Sequence, residues 1–278
     1  MIFELPKSNY KRVQPLFEGI NDHMGVKSII ALTITGKIWV DDLLNPKTAC
    51  LWDKKGRLYL GGRAADRFNH SLHQLLMGEV ATEAKKQDID TFVLYFPSKT
   101  SWENHLRKDT IFENLRKQTR SYYVFNELKI PWKDRIPQGY SVKRIDKELL
   151  EDTNLQNLNR VIEEIVSMNQ SIEEFLERGF DFCILHEEKN TIVCWCTSEY
   201  MIGLKCDFGI ETVEEYQNQG FGTLIATATV DYGSLNGFHM GWDAWSDNLG
   251  SKKIAEKIGF EKVADYPVYY GCFDKHLH

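Results

Sequence analysis

Residues 214–230 read EEYQNQGFGTLIATATV. Gln217, Asn218 and Gln219 lead into Gly220 and Gly222, and an apolar run follows. Phe221, Leu224, Ile225, Ala228, Tyr232 and Leu235 fall at i, i+3, i+4 spacing, which predicts a helix from Gly220 to Asn236 closed by Gly237. The preceding residues 207–213, DFGIETV, read as a strand. Strand, glycine bend and helix together form an anion site. The first N–H groups of a helix have no partner inside it, and the dipole is positive there. Glycines let a pyrophosphate approach those amides closely. Two other phosphate motifs fail here. G-x-G-x-x-G needs a glycine where Ile225 stands, and a P-loop needs Gly-Lys-Ser/Thr.

The rest of the chain supports an ordinary globular protein. Of 278 residues, 42% are hydrophobic and 27% charged, with net charge −6. That length predicts two domains. Pro131, Pro137 and Gly139 cluster in IPWKDRIPQGYSV, residues 130–142, and set the expected boundary as 1–137 and 138–278. No Lys/Arg run points to nucleic acid, and no apolar run of about 18 residues points to a membrane span. The N-terminal stretch, broken by Pro6 and Pro15, does not read as a signal peptide. The six cysteines follow no zinc spacing; Cys194 and Cys196 share one face of a strand and read as buried free thiols in a reducing, cytoplasmic compartment. No metal is expected: His70 and His73 read as a helix surface and Asp41-Asp42 as a turn.

The second half gives a clear order of elements. Residues 157–168 form a helix, and Ser171 with Glu174 makes a capping box for another, closed by Gly179. FDFCILHE (180–187) and TIVCWCTSEYMIG (191–203) pair through a Lys189-Asn190 turn. After the long helix come the strand HMGWDAW (239–245), a helix over 248–258 closed by Gly259, and the strand FEKVADYPVYY (260–270). The first half reads as a smaller α/β domain. SIIALTITGKIWVDD (28–42) predicts a hairpin about Gly36, and LWDKKGRLYLGG (51–62) a second hairpin turning at Lys55-Gly56. Leu72, Leu75, Leu76 and Val80 follow helical spacing, DTFVLYFPS (90–98) reads as a strand, and Trp102, Leu106, Ile111, Phe112 and Leu115 suggest helical pieces.

Gln217 to Gly222 resembles motif A of the GNAT acetyltransferase superfamily, Arg/Gln-x-x-Gly-x-Gly/Ala, and Asn248-Leu249-Gly250-Ser251 followed by AEKIGF resembles its motif B. The two stand in the family's order and at its usual separation. DFGIET, EEYQNQGFGT, GWDAWSDNLGSKKIAEKIGF and DYPVYY, with GKIWVDDLLNPKTA and YLGG in the first half, resemble the zwittermicin A-resistance-like GNAT family, which has an N-terminal extension. The resemblance implies an α/β (α+β) fold: a mixed, largely antiparallel sheet flanked by helices in the second domain. The first domain carries no copy of motif A and is a candidate degenerate GNAT-like half.

The resemblance further implies acetyl-CoA as co-substrate, held by Gln217, Asn218, Gln219, Gly220, Phe221, Gly222 and Thr223, mainly through backbone N–H. Glu211, Thr212 and Val213 would pair with the pantetheine arm, Asn248 would help hold it, and Ser251 would allow its close approach. A gap between the strand 207–213 and HMGWDAW would take the thioester, with Trp242 and Trp245 beside it or in the core. For the base, Asp207 and Glu211 leave one face of the strand, and either could act, directly or through water. The acid departs from the family: Ala255 stands where many members carry a tyrosine. Tyr266, Tyr269 or Tyr270 could substitute, or the thiolate could leave unaided. The implied acceptor is a small-molecule amine such as an amino-bearing antibiotic, and a homodimer is allowed. A non-catalytic acyl-CoA sensor and a protein N-acetyltransferase stand as alternatives.

Overall fold

In a computed structural model of the chain, which describes residues 1–20, 23–98, 100–108, 115–169 and 171–273, the chain falls into two compact units. One comprises Met1–Arg120 and Tyr266–His278, the other Ser121–Asp265. The division thus lies at Ser121 and not at residue 138. Residues 121–137 belong to the second unit because Tyr123 lies in its core and Phe125, Leu128, Ile130, Trp132 and Ile136 pack on that core. The prolines and charges of this stretch mimic a linker; its apolar side chains tie it down.

In the first unit the elements are β1 (Phe3–Glu4), α1 (Met24–Ala31), β2 (Lys37–Val40), β3 (Thr48–Trp52), β4 (Arg57–Gly62), α2 (Asp66–Leu75), α3 (Ala81–Lys85), β5 (Thr91–Tyr95) and α4 (Ser101–Lys108). β1 to β4 pair antiparallel in succession, and β5 lies parallel to β4. The β3–β4 hairpin turns at Gly56 (φ 81°), as its sequence implies, and Leu58 and Leu60 are both buried. Leu72, Leu76 and Val80 face the core from α2 and the π-helical turn Leu76–Val80 that joins it to α3. The hairpin about Gly36 is not formed. Residues 24–31 are helical instead, burying Met24, Val26, Ile29 and Ile30, and Leu32 ends the helix in the left-handed region (φ 60°). The alternation predicts strand, but burial of one helix face overrides it. Ile111 and Phe112 lie outside the described residues; Trp102 and Leu106 face the core from α4.

β6 (Arg116–Phe125) runs into the second unit, where β7 (Tyr140–Arg144), α5 (Lys147–Glu151), α6 (Leu158–Met168), α7 (Ile172–Arg178), β8 (Phe182–His186), β9 (Thr191–Ile202), β10 (Lys205–Thr212), α8 (Phe221–Leu235), β11 (His239–Trp245), α9 (Leu249–Ile258) and β12 (Phe260–Cys272) follow. β7, β8, β9 and β10 pair antiparallel in succession, and β11 lies parallel to β10. This is the mixed, largely antiparallel sheet that the resemblance implied, and its pairing order repeats that of β1 to β5. β6 and β7 are not among the elements expected from the sequence. The capping box forms: Ser171 Oγ accepts from the Glu174 N–H at 3.2 Å. Gly179 closes α7 without a left-handed turn (φ −76°), and is glycine because a Cβ would strike the Phe175 ring. Apolar side chains from α8 and α9 fill one core of this unit, and α6 and α7 cover Cys183, Ile192 and Trp195 in another.

Asp181 carries a pH dependence into that core. Its Oδ1 accepts from the Ser198 N–H and Oγ–H, both at 2.8 Å, and Oδ2 has no partner among the described residues. Burial pushes its pKa up to about 7, against the pull of the Ser198 hydrogen bonds. In the unfolded chain it titrates near 4. Between those values the folded chain keeps a proton that the unfolded chain has released, so stability falls as pH rises through the window and levels off above it. Asp181→Asn should remove this contribution. Urea unfolding at pH 5 and pH 8 should show the variant gaining on the native protein by about 2 kcal/mol or more at the higher pH. A difference that does not change with pH would refute the assignment.

Candidate active site

β10 ends at Thr212, and a single turn, Glu214–Tyr216, leads into the glycine bend. Asn218 (φ 59°) and Gly220 (φ 88°) are both left-handed, which folds the chain back into the first turn of α8. Leu224 N–H bonds the Gly220 carbonyl at 3.0 Å. The N–H groups of Phe221, Gly222 and Thr223 have no acceptor among the described residues, as expected at a helix start. A Cβ on Gly220 would meet nothing within 4 Å, so the bend is open on that side. A cavity of about 180 Å³ adjoins it, lined by Gln219, Gly220 and Thr223 and by the cations Arg135 and Lys257. The side chains of Gln217 and Gln219 brace the bend: they donate to the carbonyls of Thr212 (3.2 Å) and Glu215 (3.1 Å). The Phe221 ring is buried against Tyr140, so this residue offers only its backbone to a ligand.

The second feature is a split in the sheet. β10 and β11 pair as Lys205↔His239, Cys206↔Met240 and Asp207↔Gly241, and then no further. β10 stays paired with β9 as far as Thr212↔Cys194, with a register shift between Asp207 and Phe208. Phe208–Thr212 and Trp242–Trp245 therefore diverge from a vertex at Asp207 and Gly241. The edge of β10 released by β11 is free to pair with an extended ligand leading from the vertex to the bend.

Asp207 is buried at this vertex, 6% exposed. Its carboxylate lies over Gly241, where any Cβ would collide with it, and accepts from the Tyr122 hydroxyl at 3.4 Å. Glu211 sits nearer the bend, half-exposed and in an ion pair with Arg160, whose guanidinium lies 5.2 Å from the centre of the Trp195 ring. Glu211, Thr212 and Val213 also line a cavity of about 630 Å³ with Arg160, Lys189 and Tyr216.

Several expected site residues also make structural contacts. Asn248 caps α9, accepting from the Ser251 N–H at 3.0 Å. Ser251 Oγ accepts from Trp242 Nε1 at 2.9 Å, and Trp242 is buried against Phe260, which puts it in the core. Ala255 is fully buried. Tyr269, a candidate acid, is packed in the core of the first unit, with Phe96 at 5.6 Å between ring centres. Cys183 and Cys194 are buried free thiols whose pKa values burial pushes up to about 12, which leaves them unreactive. Among the described residues no group of His, Cys, Asp and Glu could hold a metal, and no helix is long and apolar enough to cross a membrane. Tyr122, Arg160, Arg135 and Lys257 were not found from the sequence. The run SYYVF over 121–125 was the available signal for Tyr122, since aromatic and β-branched residues favour a strand.

The chain leaving β4 in the first unit follows part of the same pattern. After β4 the Arg63 N–H bonds the Lys47 carbonyl at 3.2 Å, as the Val213 N–H after β10 bonds the Val193 carbonyl at 3.0 Å, and the Ala64 N–H bonds the Ser101 hydroxyl at 3.2 Å. Trp102 Nε1 donates to the Gly62 carbonyl at 3.0 Å, and a Cβ on Gly62 would strike the Lys47 carbonyl.

Comparison with known proteins agrees with this geometry. The chain is 27% identical over 267 residues to an uncharacterized N-acetyltransferase, YdfB, of Bacillus subtilis (strain 168), covering 96% of this chain and 97% of that one. Its fold is similar to a GCN5-related N-acetyltransferase-like protein from Streptococcus suis 89/1591, with TM-score 0.71, 22% identity, and 95% and 98% of the two chains covered. It is also similar to a tandem GNAT protein from the clavulanic acid biosynthesis pathway, with TM-score 0.55, 11% identity and 99% of each chain covered. The sequence model of the family described as GNAT acetyltransferase matches residues 14–269. An open helix start beside a split parallel strand pair, in a chain matched nearly end to end, makes this protein a member of the GNAT acetyltransferase family, and an acyltransferase enzyme.

Proposed function

We propose that the second unit binds acetyl-CoA and transfers its acetyl group to the amine of a small molecule. The observation that carries this reading is the divergence of β10 from β11 beyond Asp207↔Gly241, beside the open amides of Phe221, Gly222 and Thr223. The amides and the helix dipole would hold the diphosphate, with Gly220 and Gly222 giving access. Arg135 and Lys257 in the adjoining cavity add positive charge for a phosphorylated nucleoside end. The edge of β10 over Glu211, Thr212 and Val213 would pair with the pantetheine arm and deliver the thioester to the vertex.

At the vertex the residues divide the chemistry. Only a free amine attacks, so an ammonium must first lose its proton. Asp207 is the base in this reading, because it lies where the strands part, while Glu211 is committed to Arg160. A backbone N–H on the released edge of β10 faces the oxyanion of the tetrahedral intermediate. Asp207→Asn should lower turnover by about 10²–10³-fold with little change in acetyl-CoA affinity. Glu211→Gln should cost far less. The reading as an enzyme, and not a sensor, is tested by thiol release from acetyl-CoA against a panel of amines. Acetyl-CoA binding with no release for any amine would favour the sensor.

A further inference from the structure

At the α9 position where the resemblance implies a tyrosine to protonate the departing sulfur stands Ala255, which is fully buried and has no proton to give. The vertex supplies one from another strand. In the sheet of the second unit β11 lies between β6 and β10. Tyr122 on β6 and Asp207 on β10 reach across β11 from its two sides and meet over Gly241, the hydroxyl 3.4 Å from Asp207 Oδ1. Any side chain at 241 would displace both groups, so the glycine is what allows the contact. Gly241 is also the last residue of β11 paired with β10. The phenol and the carboxylate therefore meet where the strands begin to part. A phenol has a pKa near 10, close enough to that of a thiol to give up a proton to a leaving thiolate.

From this geometry we propose that Tyr122 is the proton donor to the leaving thiolate and works as a pair with Asp207. The inference rests on the acetyl transfer proposed above. The ammonium's first proton passes through Asp207 to solvent; the neutral nitrogen then forms its bond to the thioester carbonyl carbon and yields its second proton to Asp207. The C–S bond breaks as the Tyr122 hydroxyl protonates sulfur, and Asp207 returns its proton to the phenolate. One proton has moved from nitrogen to sulfur, and both side chains end as they began. Tyr122 and Asp207 thus do together what the resemblance would assign to a tyrosine at position 255.

The test compares native protein with Tyr122→Phe, using acetyl-CoA, its selenium analogue acetyl-seleno-CoA, and the amine panel. A selenol is the stronger acid and leaves without help. Tyr122→Phe is expected to keep its affinity for acetyl-CoA within about twofold and to lose about a hundredfold in turnover with acetyl-CoA. With acetyl-seleno-CoA the loss should shrink to less than about fivefold. An equal loss with both donors would overturn the role, because it would mean that Tyr122 acts only by holding Asp207. Unchanged turnover with acetyl-CoA would overturn it as well. Those results leave the acetyl transfer standing. Native protein that binds acetyl-CoA and releases thiol with no amine would sink the acetyl transfer and this inference together.

Discussion

Gly222→Asp should abolish acetyl-CoA binding and leave the fold as stable as before. Gly222 is the second residue of α8, and an added Cβ would meet Ile254 Cδ1 at 3.5 Å and Thr212 Oγ1 at 3.7 Å, ordinary contact distances. A carboxylate in the first turn also opposes the helix dipole favourably, worth about 0.3–1 kcal/mol. The unliganded melting temperature should therefore stay within about 2 °C of the native value. The same carboxylate would stand against the amides proposed to hold the diphosphate. Loss of at least a hundredfold in affinity, about 2.7 kcal/mol, is expected. In a thermal-shift experiment at a hundredfold excess of acetyl-CoA over its native dissociation constant, native protein gains about 2.7 kcal/mol and the variant almost nothing. Gly220→Asp is a poorer probe, because φ 88° at residue 220 penalises any side chain before the ligand is considered. An undiminished shift in Gly222→Asp would place the diphosphate elsewhere.

The largest loss of stability is expected from Gly259→Ala. Gly259 follows α9 at φ 122°, and a Cβ there would run into the carbonyl oxygen of Glu127. The close approach is fixed from both sides: Asn126 N–H bonds the Gly259 carbonyl at 3.1 Å, and Lys129 N–H bonds the Ile258 carbonyl at 3.2 Å. The backbone conformation costs about 1–2 kcal/mol and the overlap about 1–3 more. A fall in melting temperature of roughly 5–10 °C should follow. Gly237→Ala is the control. Gly237 also ends a helix in the left-handed region (φ 77°), but a Cβ there would meet nothing within 4 Å, so only the conformational term of about 1 kcal/mol applies. Equal losses at 237 and 259 would mean that the Glu127 contact contributes nothing.

Arg160 and Glu211 illustrate how far local reading reached. Alternation along β10 placed Asp207 and Glu211 on one face, but not what each would meet. Glu211 found a cation on α6, and Asp207 found a phenol on β6. Both partners are distant in the chain, and neither spacing nor composition encodes such a contact. The hairpin expected about Gly36 failed for a related reason: local alternation favours strand, and burial of Met24, Val26, Ile29 and Ile30 made residues 24–31 a helix.

What the sequence determined by itself was whatever depends on neighbours within a few residues. The strand–bend–helix over 207–235, the capping box at Ser171 and Glu174, the β8–β9 turn at Asn190 and the glycine ends of α8 and α9 were all of this kind. Backbone sterics and hydrogen bonds of short range fix them. Only the tertiary structure decided where β10 and β11 part and which unit residues 121–137 join. Those outcomes depend on which side chains and carbonyls arrive from remote strands, and a linear pattern holds no record of them.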